Sequence, residues 1–357
     1  MRISQNLLNF AISGDGRSVL YAGAERGTRD PQAYEYYQKG RYYFMLRGAE
    51  NAHRAIDFFQ RAVVRDPGFA RAHAGLTMAY RLLPVYMPVS MDSISELMEQ
   101  SARRAATLDS ALADAQLAMA VTLVQQLRFD EALSYHRSAI ALDPSSATAY
   151  LDYGFNLINL GRSDEAIDAM NRSLQLDPLV RSTASAATLG YLVARRYPEA
   201  LVAARHAFAI DSTFPLAFHA MGLAHAFGGE PDSAVRILER GVELHPGDSR
   251  LLAYLAYAYA AANRWNDAEV VRERLHDPET RLIDGTEAAR ADLVFGDPEP
   301  LIRILTSPEG LRRYLLGGGF LGCNPLHDPL WTDGRFRETM RALNVPPCEH
   351  AQEWPLR

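Results

Sequence analysis

"GRSDEAIDAMNRSLQLDP", at residues 161–178, is one of four similar phrases that follow each other along this 357-residue chain. The others are "LRFDEALSYHRSAIALDP" at 127–144, "RRYPEALVAARHAFAIDS" at 195–212 and "GEPDSAVRILERGVELHP" at 229–246. Each phrase begins 34 residues after the one before it. A constant period in this range is typical of stacked-repeat proteins, in which each unit packs mainly on its neighbours.

The period extends beyond these four phrases in both directions. The residue that closes each unit recurs with spacings of 43, 34, 34, 34, 34 and 32 residues, at Pro67, Ser110, Pro144, Pro178, Ser212, Pro246 and Pro278. Seven units therefore cover residues 31–278. The second unit is longer because of an insertion around "LLPVYMPVSMD", whose two prolines predict an extended or lengthened loop.

The fourth unit, residues 147–178, predicts a pair of helices. In its first half, apolar or small residues recur at helical spacing, at Tyr150, Tyr153, Gly154 and Leu157. After an interruption by Gly161 and Ser163, a second apolar face follows at Ala166, Ile167, Met170 and Leu174. Pro178 then ends the second helix. The fold is therefore predicted to be all-α, with Gly154 at a close crossing of the two helices.

These residues resemble the tetratricopeptide repeat. The motif positions are occupied in the fourth unit by Tyr150, Tyr153, Gly154, Leu157, Ala166, Met170 and Pro178. In the sixth unit they are occupied by Phe218, Met221, Gly222, Ala234, Leu238 and Pro246. The resemblance implies a right-handed superhelix of stacked helical hairpins, with about seven units and a degenerate eighth. It also implies that the first helix of each pair forms the concave wall.

The two ends of the chain differ from the repeats. Residues 279–357 predict a degenerate helix pair and a C-terminal capping tail, whose last helix covers about 334–343. Residues 1–25 alternate apolar and polar side chains around Gly-Asp-Gly, which predicts an extended or β-hairpin-like segment. The tail, and "RDPQAYEYYQKGRYY" at 29–43, resemble the repeat regions attached to bacterial signalling kinases, nucleotide cyclases and winged-helix transcription regulators. That resemblance implies a role in bacterial signalling or regulation.

Composition narrows the classes of partner. The net charge of −6, without a long basic run, argues against a nucleic-acid partner. No apolar stretch has the length of a membrane span, and the first residues make a poor signal peptide. A cytoplasmic location is slightly favoured, although the compartment and the oligomeric state stay open. The chain has two cysteines, Cys323 and Cys348, so at most one bridge within the chain can form and no disulfide framework holds the fold.

The resemblance maps the groove of the family onto a mainly apolar set of side chains. The predicted groove residues are Leu117, Val121, Val124, Leu151, Phe155, Ile158, Asn159, Leu189, Leu192, His219, Leu223, Phe227 and Tyr257. Such a groove suits an amphipathic helix or an extended apolar segment of a protein or peptide partner. Basic residues that would clamp a terminal carboxylate are missing from these positions. The alternative is that these side chains pack on neighbouring helices or on the chain's own N-terminal hairpin, which periodicity cannot distinguish.

We therefore expect a protein-interaction scaffold or adaptor, with no catalytic residues and no cofactor. The alternative is a sensor of a small apolar or peptide ligand, and an enzyme with a site in the groove or tail is less favoured. "GGGFLG" at 317–322 lacks the strand and helix that a nucleotide-binding loop needs around it. Zinc ligands are conceivable at Cys323, His327, Cys348 and His350, but their spacing matches no known finger, so no metal is predicted.

Overall fold

The computed structural model describes residues 11–12, 19–20, 27–87, 89–178, 181–277, 285–316, 319–322 and 324–348. Within them, nineteen α-helices follow one another along the chain, with one 3₁₀-helix near the C-terminus. Consecutive helices pack as hairpins, and each hairpin contacts the next one. The prediction of an all-α fold built from stacked helical hairpins is confirmed.

The hairpins match the seven repeat units. In chain order their helices are α1 (Pro31–Leu46), α2 (Ala49–Arg65), α3 (Ala70–Tyr80), α4 (Leu83–Tyr86), α5 (Met91–Leu108), α6 (Ala113–Gln125), α7 (Phe129–Leu142), α8 (Ala147–Asn159), α9 (Ser163–Leu176), α10 (Arg181–Val193), α11 (Tyr197–Ile210), α12 (Pro215–Phe227), α13 (Pro231–Leu244), α14 (Ser249–Ala261) and α15 (Trp265–His276). The one-turn helix α4 lies in the insertion of unit two, where a loop was predicted. Pro84 allows this turn because the first residues of a helix need no N–H donor within the helix.

The turn inside the hairpins has the same backbone conformation in five successive units. Residues that are 34 positions apart have φ values from 58° to 83°: Leu127, Gly161, Arg195, Gly229 and Asn263. This left-handed conformation is easy for glycine and unfavourable for residues with a Cβ atom. Three of the five residues are not glycine. The packing of the two helices therefore imposes the turn even where the local sequence does not favour it.

The predicted close crossings at Gly154 and Gly222 are present. A Cβ atom at Gly222 would lie 2.5 Å from Cγ of Leu238, and one at Gly154 would lie 2.9 Å from Cγ of Met170. Both distances are too short for real carbon contacts. A glycine inside a helix costs about 1 kcal/mol relative to alanine, and here it lets the two helices of a hairpin approach each other.

Three helices follow the seventh hairpin: α16 (Thr286–Val294), α17 (Glu299–Thr306) and α18 (Pro308–Leu316). The first two lie where the degenerate pair was predicted. The 3₁₀-helix Pro325–Thr332 and α19 (Gly334–Ala342) come next. Helix α18 contacts α4, α5 and α6, so the C-terminal part of the chain returns to the second and third units.

Two short strands, β1 (Ala11–Ile12) and β2 (Val19–Leu20), pair antiparallel near the N-terminus. A pair of this length does not support the predicted β-hairpin-like segment, whose other residues lie outside those that the structure describes. Cys348 is disulfide-bonded, and Cys323 also lies outside the described ranges. Within the described part of the chain, none of the helices combines the length and apolar character that a bilayer crossing requires.

Candidate functional site

The stacked hairpins surround an inner channel with a free volume of about 960 Å³. Its walls come from the end of α1, from α4, from His136 of α7 and from the first helices of units three to seven, namely α6, α8, α10, α12 and α14. Leu315 of α18 and Phe320 border it on the C-terminal side. The channel is therefore the concave face of the repeats, partly covered by the end of the same chain.

The tail segment, defined here as residues 319–322 and 324–332, lies against the channel wall. The Phe320 ring stacks on the Phe155 ring of α8, with centroids 4.9 Å apart. The next backbone N–H, that of Leu321, donates a hydrogen bond to Oδ1 of Asn159 at 3.0 Å. At Gly322, an added Cβ atom would collide with the Ile158 carbonyl oxygen. A partner segment therefore finds the middle of the groove occupied by the chain itself.

Buried polar contacts fasten the tail segment. Asp328, which is almost fully buried, forms an ion pair with Arg195 of the turn between α10 and α11. The Tyr314 hydroxyl is hydrogen-bonded to Nε2 of His327 at 2.7 Å. Outside the tail segment, Arg312 of α18 forms an ion pair with the exposed Asp92 at 2.8 Å. Because removing one partner of a buried ion pair leaves an unpaired buried charge, the contact between Asp328 and Arg195 holds the tail segment in one position.

The predicted groove residues divide into three groups. Seven of them line the channel: Val121, Val124, Leu151, Phe155, Asn159, Leu189 and His219. Four others are buried in helix packing: Leu117, Ile158, Leu192 and Leu223. The remaining two, Phe227 and Tyr257, contact each other at a centroid distance of 5.0 Å. The structure thus brings the first group together around one cavity.

Phe227 does not line this channel. Its ring lies between those of Tyr197 and Tyr257, at centroid distances of 6.0 Å and 5.0 Å. Burial raises the pKa of the Tyr257 hydroxyl well above its usual value. The side chain of Leu189, which lies between Phe155 and Phe227 in the sequence, does line the channel. Because Phe227 does not line it, the apolar surface of this cavity does not continue from Phe155 to Phe227.

A polar cluster in the channel wall was not predicted from the sequence. It consists of His136 of α7, Asp152 and Asn156 of α8, and Arg81. Arg81 Nη1 lies 2.9 Å from Asp152 Oδ1, and Asn156 Nδ2 donates to the Phe129 carbonyl oxygen at 3.0 Å. Burial lowers the pKa of His136 to about 4, so its imidazole is neutral near pH 7. A sequence signal was present, because unit six has Leu238, Ala220 and Ala224 at the repeat positions of His136, Asp152 and Asn156.

A second polar group borders the far end of the channel. His219 is buried, and its Nε2 lies 3.4 Å from Oδ2 of Asp248. Its ring also packs edge-on against Tyr254, at a centroid distance of 5.5 Å. Burial lowers the pKa of His219. This residue was predicted in the groove, and it both lines the channel and joins α12 to α14.

Among the candidate zinc ligands and the glycine-rich segment, the described residues His327, Cys348 and Gly319 make contacts within the protein itself. His327 is engaged with Tyr314, and Cys348 is disulfide-bonded; Cys323 and His350 lie outside the described residues. No group of three or more metal-ligating side chains occurs in the described ranges. Gly319 lies against the Tyr314 ring, where a Cβ atom would collide. That glycine serves close packing between α18 and the tail segment.

Comparisons with known proteins place these features in a family. The tetratricopeptide repeat model matches residues 123–187 and 228–275. The structure of the APC/C hetero-tetramer Cut9–Hcn1 is similar at a TM-score of 0.56 and 12% identity, over 90% of this chain and 57% of that chain. Pseudomonas aeruginosa PilF is similar at a TM-score of 0.46 and 20% identity, over 64% of this chain and 98% of that one. YrrB, described as a TPR protein with an unusual peptide-binding site, is similar at a TM-score of 0.38 and 17% identity, over 54% and 95%.

No curated protein sequence matches the chain. The similarity to Cut9–Hcn1 spans most of this chain and, at its low identity, shows the fold. The two matched stretches lie within units three to five and within units six and seven, where the structure has helical hairpins. The chain therefore contains tetratricopeptide repeats, which the family model matches at residues 123–187 and 228–275.

Proposed function

We propose that this protein is a scaffold that binds an extended apolar segment of a partner protein in its inner channel. Proteins of this family bind protein or peptide partners. The resemblance of the chain ends to regions attached to bacterial regulators favours a role in bacterial signalling or regulation. The role proposed here is binding, without catalysis.

The contact of the tail segment with α8 carries this proposal. An aromatic ring stacks on Phe155, and the following backbone N–H binds the Asn159 side chain. Both interactions use features that any peptide with an aromatic residue followed by an aliphatic one can supply. The tail segment therefore serves as a template for the partner: an aromatic–aliphatic pair in an irregular, non-helical segment.

A peptide copied from residues 319–326, with Cys323→Ser, tests the proposal. Its binding is measured by fluorescence anisotropy on the full chain carrying Phe320→Ala, in which the tail no longer supplies its ring. We expect binding, and a loss of at least about tenfold when Phe155→Ala is added, because a central aromatic anchor dominates such contacts.

The matched control adds Phe208→Ala to the Phe320→Ala chain. Phe208 lies on α11 and packs on Phe218, outside the channel lining. This change should leave peptide affinity unaltered. Absence of binding, or equal affinity with and without Phe155→Ala, would show that the channel is not the binding site.

A second candidate is a sensor of a small apolar or peptide ligand. The channel volume of about 960 Å³ lies in the range of small-molecule sites, and the chain's own end covers part of it. A ligand that binds only the folded state raises the melting temperature. A thermal-shift screen of small apolar compounds, repeated on a Leu151→Asp variant, would support this candidate only if the shifts disappear in that variant.

A further inference from the structure

We infer that the polar cluster at His136, Asp152 and Asn156 is a binding subsite for a primary carboxamide, such as the side chain of glutamine or asparagine. This inference rests on the proposed binding role of the channel and names one chemical group of the bound segment. Three observations carry it: the repeat positions of these residues, their unpartnered buried atoms, and the number of donors and acceptors that these atoms present.

The first observation is that each residue departs from the apolar pattern of the repeat. His136 stands 34 residues before Met170, a position where unit six has Leu238. Both of those side chains are almost completely buried in the core. The His136 ring packs against the Tyr153 ring at a centroid distance of 6.0 Å, but it also brings two polar nitrogen atoms into this buried position. Packing of the repeat does not require those nitrogen atoms.

The same holds on helix α8. Asp152 and Asn156 correspond in unit six to Ala220 and Ala224, which are fully buried. Polar groups placed at buried positions lower stability unless they are hydrogen-bonded. Three polar replacements thus meet on the two adjacent helices α7 and α8, at one side of the channel.

The second observation is that internal contacts satisfy only part of this cluster. Among the described residues, both ring nitrogens of His136, Oδ2 of Asp152 and Oδ1 of Asn156 have no hydrogen-bond partner. The other halves of the two α8 side chains are engaged, with Arg81 and with the Phe129 carbonyl. The exposed fractions are 0% for His136, 8% for Asp152 and 0% for Asn156. All three side chains nevertheless contribute to the wall of the channel.

The third observation is the match between these atoms and one functional group. A neutral imidazole has one N–H donor, whereas Oδ2 of Asp152 and Oδ1 of Asn156 are acceptors. A primary carboxamide has two N–H donors and one carbonyl acceptor. It can therefore give one N–H to each oxygen and receive the imidazole N–H. One small group thus pairs with three of the four atoms that the fold leaves unpartnered.

Charged groups fit this subsite less well. A carboxylate has no hydrogen for the two acceptor oxygens and would be repelled by Asp152. An ammonium group would meet the guanidinium of Arg81, which already pairs with Asp152 at 2.9 Å, and that of Arg47, which also borders the channel. Charge and hydrogen-bonding capacity therefore both favour a neutral donor–acceptor group.

Two isosteric probes test the inference on the full wild-type chain. Hexanamide and 2-heptanone have the same apolar tail and carbonyl, but the ketone replaces the amide NH₂ with a methyl group. Their dissociation constants are measured by NMR titration, in the millimolar range expected for such small molecules. We expect hexanamide to bind at least about tenfold more tightly, because only it pairs the two acceptor oxygens.

The repeat itself supplies the variants. Asn156→Ala introduces the residue that unit six has at this position and removes one acceptor oxygen. The dissociation constants of the two probes should then lie within about threefold of each other. The control, His73→Leu, changes a buried histidine that is bonded to the Pro67 carbonyl and does not line the channel. It should leave the preference for hexanamide intact.

The outcomes separate this inference from the proposed scaffold role. Equal affinity of the two probes for the wild-type chain, or a preference that survives Asn156→Ala, overturns the carboxamide subsite. The comparison of the two probes on the wild-type chain needs no variant, so it tests the inference even if Asn156→Ala folds poorly. If neither probe binds while the labelled peptide still binds the Phe320→Ala chain, the subsite is rejected and the scaffold role stands.

Discussion

The ring of Phe320 stacks on the ring of Phe155, with centroids 4.9 Å and planes 29° apart. This pair joins the C-terminal tail segment to the first helix of unit four, in the middle of the concave face. The adjacent hydrogen bond from the Leu321 N–H to Asn159 is buried. The concave face is therefore occupied in its centre by the same chain.

Removing the ring of Phe320 should loosen the tail segment. Phe320→Ala removes a stacked pair and a largely buried side chain, so we expect the free energy of unfolding to fall by about 3 kcal/mol. Hydrogen exchange at the Leu321 amide should accelerate more than exchange in the repeat helices. Mass spectrometry of exchanged peptides measures this. A Phe208→Ala chain, destabilised elsewhere, should keep the Leu321 amide relatively protected.

Phe155→Ala and Phe227→Ala should have different effects. Phe155 lines the channel and contacts the tail segment, so in the Phe320→Ala chain its loss should weaken binding of the labelled peptide by at least about tenfold. Phe227 is partly buried between Tyr197 and Tyr257, so in the same background its loss should lower the free energy of unfolding by about 3 kcal/mol and leave peptide affinity unchanged. Melting curves and anisotropy titrations on both variants distinguish the two roles. Equal effects on affinity would contradict this assignment.

Gly222→Leu should destabilise the sixth unit. A Cβ atom there would lie 2.5 Å from Cγ of Leu238, so a larger side chain would force the helices apart and cost about 1–3 kcal/mol. Gly247→Leu is the matched control, because a Cβ atom at Gly247 meets no atom within 4 Å. Thermal unfolding followed by circular dichroism compares them. Equal melting temperatures would show that the crossing at Gly222 is not close.

Acid should destabilise the protein partly through His136. Burial lowers the pKa of this imidazole to about 4, against about 6.5 in an unfolded chain. Between these two values the unfolded chain binds a proton that the folded chain does not, so stability falls as the pH falls. The loss from this residue is about 3 kcal/mol in total. His136→Leu should flatten the decline between pH 6.5 and pH 4, as measured by urea unfolding at several pH values; an unchanged slope would contradict the shift.

The repeated phrases were sufficient to predict the hairpins. Each phrase has an apolar face at helical spacing and a break at its end, and these local signals recur with one period. The turn at Arg195 shows the strength of this repetition, because the residue adopts φ of 58° although its side chain disfavours it. The insertion of unit two departs from the pattern, and there the sequence did not indicate the short helix α4.

The seven channel residues that the family groove positions predicted share a surface because first helices stack in register. Leu117 and Ile158 were also predicted to line the groove, but both side chains are buried in the core. Helical spacing specifies a face of a helix but not what covers that face. The polar cluster at His136 was visible as a break in the apolar pattern, yet its significance depends on which atoms remain without partners.

The sequence by itself therefore determined the elements whose cause is local: the repeat period, the helix pairs and the glycine crossings. Only the tertiary structure decided where the C-terminal part of the chain returns, placing Phe320 on Phe155 and Asp328 beside Arg195. Those contacts join residues that are far apart in sequence. No periodic pattern encodes them, because they depend on the shape of the whole superhelix and on the space that its concave face leaves for the tail.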